Sequence, residues 1–268
     1  MSHSPISDMP SLGIGTWQNT DPEECANAVA TALDVGYRHV DTAQAYDNEA
    51  SVGEGLARAD VPREDVFLAT KVWIEQLAYD DVLASTEASL DRLGVGYVDL
   101  LYIHWPAGAY DPEDTLAAFD ELYDEGLIER VGISNFEPEQ VTEAVETADA
   151  PIFANQIECH PLLPQEELRA HCADHDVEVV AYSPLARGEV FDVPEIQDVA
   201  EKHGVSEAQV SLAWLDEKGV TAIPKATSEA HVRDNWASRT LDLDDEDVAT
   251  IDGIDRRERQ VDPSFAPW

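Results

Sequence analysis

Eight short apolar runs, rich in β-branched residues and separated by amphipathic helical stretches, recur along the whole chain. They lie near Leu12–Thr16, Arg38–Asp41, Val66–Lys71, Val98–His104, Arg130–Ser134, Ile152–Gln156, Glu178–Tyr182 and Val220–Pro224. Strands joined through helices pair in parallel, because each connection must cross back over the sheet before the next strand begins. Eight such units in 268 residues predict an α/β fold, a (β/α)8 TIM barrel, with residues 1–268 forming a single domain. A doubly wound sheet is the alternative. Helices are predicted over Asp21–Asp34, Asp80–Leu93, Glu113–Glu125 and Glu137–Thr147, each with an acidic or Pro-containing first turn that suits the positive end of a helix dipole. Two more, Val193–His203 and Ser206–Glu217, fit between the last two runs. The tail Arg256–Trp268 carries two prolines and reads as a loop that folds back over one mouth of the barrel.

Acidic residues number 56 against 16 Lys and Arg, a formal net charge of -40, and they are spread over the whole length. This composition predicts adaptation to molar salt, where the Debye length falls to roughly 3 Å and self-repulsion is screened. It argues against nucleic acid and anionic membranes as partners. Only four lysines remain, Lys71, Lys202, Lys218 and Lys225, and two of these stand at strand ends. Cys25, Cys159 and Cys172 have no paired or metal-ligand spacing, which fits a reducing compartment. No stretch approaches the roughly 18 apolar residues of a membrane span, and no basic region precedes an apolar one at the start. A cytoplasmic monomer is the expectation.

The predicted C-terminal strand ends carry Asp41, Lys71, His104, Ser134 with Asn135, Gln156, Tyr182 with Ser183, and Lys225. Each alone has a structural explanation as a cap, a turn residue or a packed ring. Together they form a ring of polar groups at the edge where parallel α/β proteins place their active sites. Tyr46 follows on the loop after Asp41. A tyrosine with an ordinary pKa of about 10 needs a neighbouring cation to release its proton near neutral pH. Lys71 is placed to supply that cation, Asp41 to hold the lysine, and His104 to hydrogen-bond a carbonyl oxygen. The eight histidines show no pairing with carboxylates at strand or helix spacing, so no metal site is predicted.

The order of motifs resembles that of the aldo-keto reductase family over nearly the whole chain. These are Gly-Ile-Gly-Thr-Trp at 13–17, Gly-Tyr-Arg-His-Val-Asp-Thr-Ala at 36–43 with Tyr46, Asn48-Glu49 and Val52-Gly53, and Thr-Lys-Val-Trp at 70–73. Asp-Leu-Leu-Tyr-Ile-His-Trp-Pro at 99–106, Gly-Ile-Ser-Asn-Phe at 132–136, Asn-Gln-Ile-Glu-Cys-His-Pro at 155–161, Ala-Tyr-Ser-Pro-Leu at 181–185 and Ile-Pro-Lys at 223–225 complete it. The short form looks most like the microbial branch that includes 2,5-diketo-D-gluconate reductases. The resemblance implies that Asp41, Tyr46, Lys71 and His104 are catalytic, with Tyr46 the proton donor and hydride passing from a nicotinamide to the carbonyl carbon. It implies an NADP site, with NAD also possible, built from Thr16, Trp17, Asp41, Ser134, Asn135, Gln156, Tyr182, Ser183, Leu185, Lys225, Ala226, Thr227, His231 and Asn235. In that set Ser134, Asn135 and Gln156 bind the carboxamide, Tyr182 stacks on the nicotinamide, and Ser183, Leu185 and Lys225 hold the pyrophosphate and adenosine end. The helix N-terminus after Lys225 favours the same anion. No Gly-x-Gly-x-x-Gly follows a strand, because Gln18 stands in the third place after Gly13 and Gly15.

Two positions depart from the pattern. Ala226 replaces a usual serine and His231 a common arginine, both at the cofactor's 2′-phosphate in the family, which weakens the expected preference for NADP over NAD. Trp17, Trp73 and Trp105, with Tyr46 and His104, are the expected substrate walls, and the short loop after Trp105 and Pro106 predicts an open pocket for a small carbonyl compound, aldehydes, ketones and keto-sugars or keto-sugar acids alike. Two competing classes are a cofactor-binding, redox-sensing regulatory protein with little turnover and a barrel hydrolase without cofactor.

Overall fold

In the computed structural model, residues 9–268 are described. Eight parallel strands pair in chain order: β1 (Ile14–Gly15), β2 (His39–Asp41), β3 (Phe67–Val72), β4 (Leu100–Ile103), β5 (Val131–Ser134), β6 (Ile152–Glu158), β7 (Glu178–Tyr182) and β8 (Thr221–Ala222). Parallel bridges from Leu12 to Ala222 and from Gly15 to Lys225 join the last strand to the first. The sheet is therefore a closed ring, the (β/α)8 barrel expected from the spacing. Its first and last strands are the shortest. At that seam Gly15 lies so close to the Ile223 carbonyl oxygen that a Cβ would stand 2.6 Å from it, which explains the glycine.

Ten α-helices are found among the described residues: α1 (Pro22–Val35), α2 (Glu49–Arg58), α3 (Tyr79–Leu93), α4 (Pro112–Asp124), α5 (Pro138–Thr147), α6 (Glu166–Asp174), α7 (Pro194–His203), α8 (Glu207–Glu217), α9 (Glu229–Ala237) and α10 (Asp245–Asp252). The six spans named from sequence are present within a few residues at each end, α9 is the helix expected after Lys225, and α2, α6 and α10 complete the set. Local chemistry starts them where expected: Asp21 accepts from the backbone N–H groups of Glu23 and Glu24 at 3.0 and 2.9 Å, with Pro22 in the first turn of α1. Neighbouring helices pack from α1 to α6 and from α7 to α9, and α9 returns to α1. No helix among the described residues is long and apolar enough to cross a membrane.

Alternation along each strand sorts the side chains. Leu68, Val72, Leu101 and Ile103 face the helices, whereas Phe67, Ala69, Leu100, Tyr102, Ala154, Val180 and Ile223 fill the barrel interior. The same alternation carries Lys71 inward above Ala69, and Asp41 inward above His39. The barrel core thus ends, at its C-terminal mouth, in ionisable groups.

Burial pushes His39 down to about 4, whereas an unfolded imidazole titrates near 6.5. Below about 6.5 the unfolded chain takes up this proton first, so the stability that His39 contributes is complete above that pH and is lost as pH falls through about 4. His39→Leu is expected to flatten this acid limb, read from urea midpoints at about pH 7 and about pH 4.5.

Candidate active site

A cleft of about 1120 Å³ opens at the C-terminal mouth of the barrel. Asp41, Tyr46, His104, Ser134, Asn135, Gln156, Tyr182, Ser183 and Lys225 line it, together with Thr16, Trp17, Trp73 and Trp105. Lys71 does not line the cleft; it is fully buried at its floor. Its Nζ donates to Asp41 Oδ1 at 2.5 Å and to the Thr42 carbonyl oxygen at 2.7 Å. The other oxygen of Asp41 accepts from the Gln156 side-chain amide at 2.8 Å. Both charges are therefore hydrogen-bonded as well as paired, which is what a buried ion pair requires.

Lys71 Nζ lies 5.1 Å from the centre of the Tyr46 ring, and the His104 ring meets that of Tyr46 edge-on at 5.7 Å. Burial, and then the Asp41 carboxylate, push the Tyr46 phenol well above its ordinary pKa. The resting group is therefore a neutral phenol. Burial, reinforced by Lys71, holds His104 far below its ordinary value, so its imidazole is neutral and can donate one N–H. Burial lowers Lys71 itself, opposed by the adjoining Asp41. This arrangement offers a neutral acid and a neutral hydrogen-bond donor side by side, with a buried ion pair behind the acid.

The groups assigned to the carboxamide are tied to one another. Ser134 Oγ donates to the Gln156 carbonyl oxygen at 2.8 Å, and Asn135 Nδ2 donates to the His104 carbonyl oxygen at 3.0 Å. Tyr182 Oη donates to Asn135 Oδ1 at 2.8 Å. Asn135 has a positive φ of 64°, a conformation that asparagine tolerates better than most residues. Leu185, Ala226, Thr227, His231 and Asn235 lie outside the cleft lining: Ala226 and Asn235 are buried, whereas His231 is exposed in the first turn of α9.

The positioning role of several residues went unread in the sequence. Asn48 donates to the carbonyl oxygens of Thr16 and Asn19 at 2.8 and 3.2 Å and accepts from Thr42 Oγ1 at 2.9 Å, stapling the loops after β1 and β2. Gln44 bonds Ser85, Ser89 and the Trp73 N–H and so fixes the turn that carries Tyr46. The tail does fold over the mouth. Glu158, at the end of β6, accepts from the N–H groups of Gln260 and Val261 at 2.6 and 2.9 Å, and Val261, Pro263 and Phe265 line the cleft. Phe265 stands edge-on to Trp105 at 5.3 Å and to Trp73 at 6.1 Å. The loop after Trp105 is short as expected, yet the pocket is less open than that loop alone implied, because the tail supplies a wall. The Asn48 and Glu158 motifs were visible in sequence; their partners were not.

Comparison with known proteins agrees with this geometry. Residues 11–256 match the model of the Aldo/keto reductase family. An aldo-keto reductase of Mycolicibacterium smegmatis is 42% identical over 258 residues, covering 94% of this chain and 92% of its relative. Glyoxal reductase of Bacillus subtilis is 38% identical over 252 residues, covering 94% and 91%. A crystal structure described as a putative 2,5-diketo-D-gluconic acid reductase B superimposes with a TM-score of 0.93 at 35% identity, covering 99% of this chain and 96% of that one. With a closed eight-stranded barrel, a polar cleft at its C-terminal mouth and a family match over most of its length, the chain belongs to the aldo/keto reductase family.

Proposed function

We propose that the chain is an NAD(P)H-dependent oxidoreductase that reduces aldehydes or ketones, keto-sugars and keto-sugar acids among them, to alcohols, with Tyr46 as proton donor. The observation that carries this reading is the fully buried Asp41–Lys71 pair placed behind a neutral Tyr46, with neutral His104 beside it. The cleft suits a nicotinamide cofactor: an aromatic face at Tyr182, polar side chains at Ser134, Asn135 and Gln156, and the cation of Lys225 at the end of β8 where barrels hold phosphates. When bound, the cofactor supplies hydride to the carbonyl carbon. His104 donates a hydrogen bond to the carbonyl oxygen and orients it toward Tyr46. Tyr46 gives that oxygen its proton, and the phenolate left behind is stabilised by the Lys71 charge. Asp41 keeps Lys71 protonated and fixed.

The test is loss of reduced-nicotinamide absorbance with NADPH and NADH against methylglyoxal, dihydroxyacetone and keto-sugar acids. Turnover supports the reading, and tight cofactor binding without turnover on any carbonyl moves the weight to a redox-sensing protein. NADPH is the proposed cofactor, held through Lys225, with NADH accepted because Ala226 and His231 offer the 2′-phosphate little. A polyanionic cofactor must also approach a protein of net charge -40. The Kd for NADPH is therefore expected to fall as potassium chloride rises across the folded range, measured by quenching of tryptophan fluorescence; a Kd that rises with salt counts against this.

A further inference from the structure

α6 has little local support. It is 9 residues long, no side chain caps its start, where Gln165 has a φ of 53°, and Asp176, just past its end, has a φ of 57°. Left-handed φ is costly for residues other than glycine, and a helix this short is marginal by itself. Its last turn carries two histidines four residues apart, His171 and the capping residue His175, which places them on one face of the helix. The two rings lie 4.5 Å apart, centre to centre, at an angle of 34°.

Both rings turn the same atom toward the same point. His171 Nε2 stands 3.0 Å from Thr142 Oγ1 on the facing helix α5, and His175 Nε2 stands 3.4 Å from that oxygen. Nδ1 of His175 lies 2.9 Å from the His171 carbonyl oxygen, which can only accept. Nδ1 therefore holds the hydrogen, and Nε2 of the neutral ring keeps its lone pair. A carbonyl on one imidazole nitrogen that fixes the other as a ligand is the arrangement found around metal-bound histidine. The Thr142 hydroxyl has one hydrogen to give, and the Pro138 carbonyl oxygen at 3.2 Å competes with both rings for it. All three residues are half-buried, at the surface where α5 meets α6.

We propose that His171 and His175 form a chelate for a divalent transition ion of the zinc class, which clips the last turn of α6. Zinc takes imidazole nitrogen and completes a four-coordinate shell with water. Among the described residues no third His, Cys, Asp or Glu joins the pair, so the remaining positions fall to water and to the Thr142 hydroxyl. A chain of net charge -40 gathers cations around itself, which favours loading. Thr142, His171 and His175 are all outside the lining of the cleft, so the role assigned to the ion is structural, and the site stands whether or not the reductase reading holds.

The test is calorimetric titration of Zn²⁺ into the full chain in about 1 M potassium chloride, where a Debye length of roughly 3 Å mutes diffuse attraction to the acidic surface. One saturable site per chain is expected, weakened at least about tenfold in His171→Gln and in His175→Gln alike. Mg²⁺, a hard ion that prefers oxygen ligands, is expected to show no such site. The amides of His175, Asp176 and Val177 bond back to the carbonyls of Cys172 and Ala173 and so report on the last turn. With Zn²⁺ at about ten times its Kd, their hydrogen exchange is expected to slow about tenfold in wild type and to stay unchanged in either variant. Absent saturable binding overturns the proposal, as does a site that Mg²⁺ fills equally or that the two substitutions leave unchanged, either of which would place the ion on carboxylates. Loss in only one variant also overturns it, because a chelate needs both rings, and Zn²⁺ held by both rings without slower exchange overturns the clip.

Discussion

Tyr46→Phe is expected to lower kcat by about a thousandfold, within the range removed with a general acid, while the Kd for NADPH moves by less than about twofold. Structure explains why so large a loss should come without unfolding. The Tyr46 hydroxyl has no hydrogen-bond partner among the described residues, so phenylalanine keeps the edge-on contact with His104 and removes only the proton to be given. Stopped-flow and steady-state rates on one aldehyde, with fluorescence titration of the cofactor, check both halves. A mutant that retains more than about a tenth of wild-type kcat removes Tyr46 from the role of proton donor.

Lys71→Met should injure the fold as well as the rate. It leaves Asp41 with the Gln156 amide but without its cation, in a site that is 1% exposed. Breaking one half of a buried pair costs about 3–5 kcal/mol, because the remaining charge is stranded. Urea unfolding at fixed salt is expected to show that loss, and Asp41→Asn combined with Lys71→Met is expected to recover much of it, because both partners are then neutral. Activity should not recover in the double variant: a phenolate formed at Tyr46 would have no cation 5.1 Å from its ring. Stability regained with activity still lost separates the structural role of the pair from its electrostatic one. Recovery of both together would show that the charge of Lys71 is dispensable for proton transfer.

The barrel was legible because its strands are short, mostly buried and apolar-rich runs that recur between amphipathic helices, and because alternation in β3 and β4 puts Lys71 and His104 on the inner face. The two ends of the ring were less so: Gly13, Gly15 and Pro224 interrupt the first and last runs, and β1 and β8 are two residues each. Within the site, residue types were readable and environments were not. Whether Lys71 or burial governs Tyr46 depends on how much water the tail and the tryptophans exclude, a property of long-range packing. Phe265 escaped notice for a similar reason. It is delivered by a tail anchored on a buried glutamate from β6. Such an anchor has no periodicity.

The seam between β1 and β8 carries a consequence for how the protein assembles. Asp41, Tyr46, Lys71 and His104 come from the adjacent strands β2, β3 and β4 and the turn between two of them, so most of their mutual placement is set by neighbouring units of the barrel, with Gln156 of β6 added across it. Gly15 and Lys225 meet only when opposite ends of the described chain are brought together, a contact of high sequence separation that is expected to form late. An open half-barrel would thus hold its proton-transfer groups before it has a place for phosphates. Pulsed hydrogen exchange during refolding should protect the amides of Lys71 and His104 before those of Gly13 and Gly15, and added NADPH should speed late protection at the seam without touching the early phase.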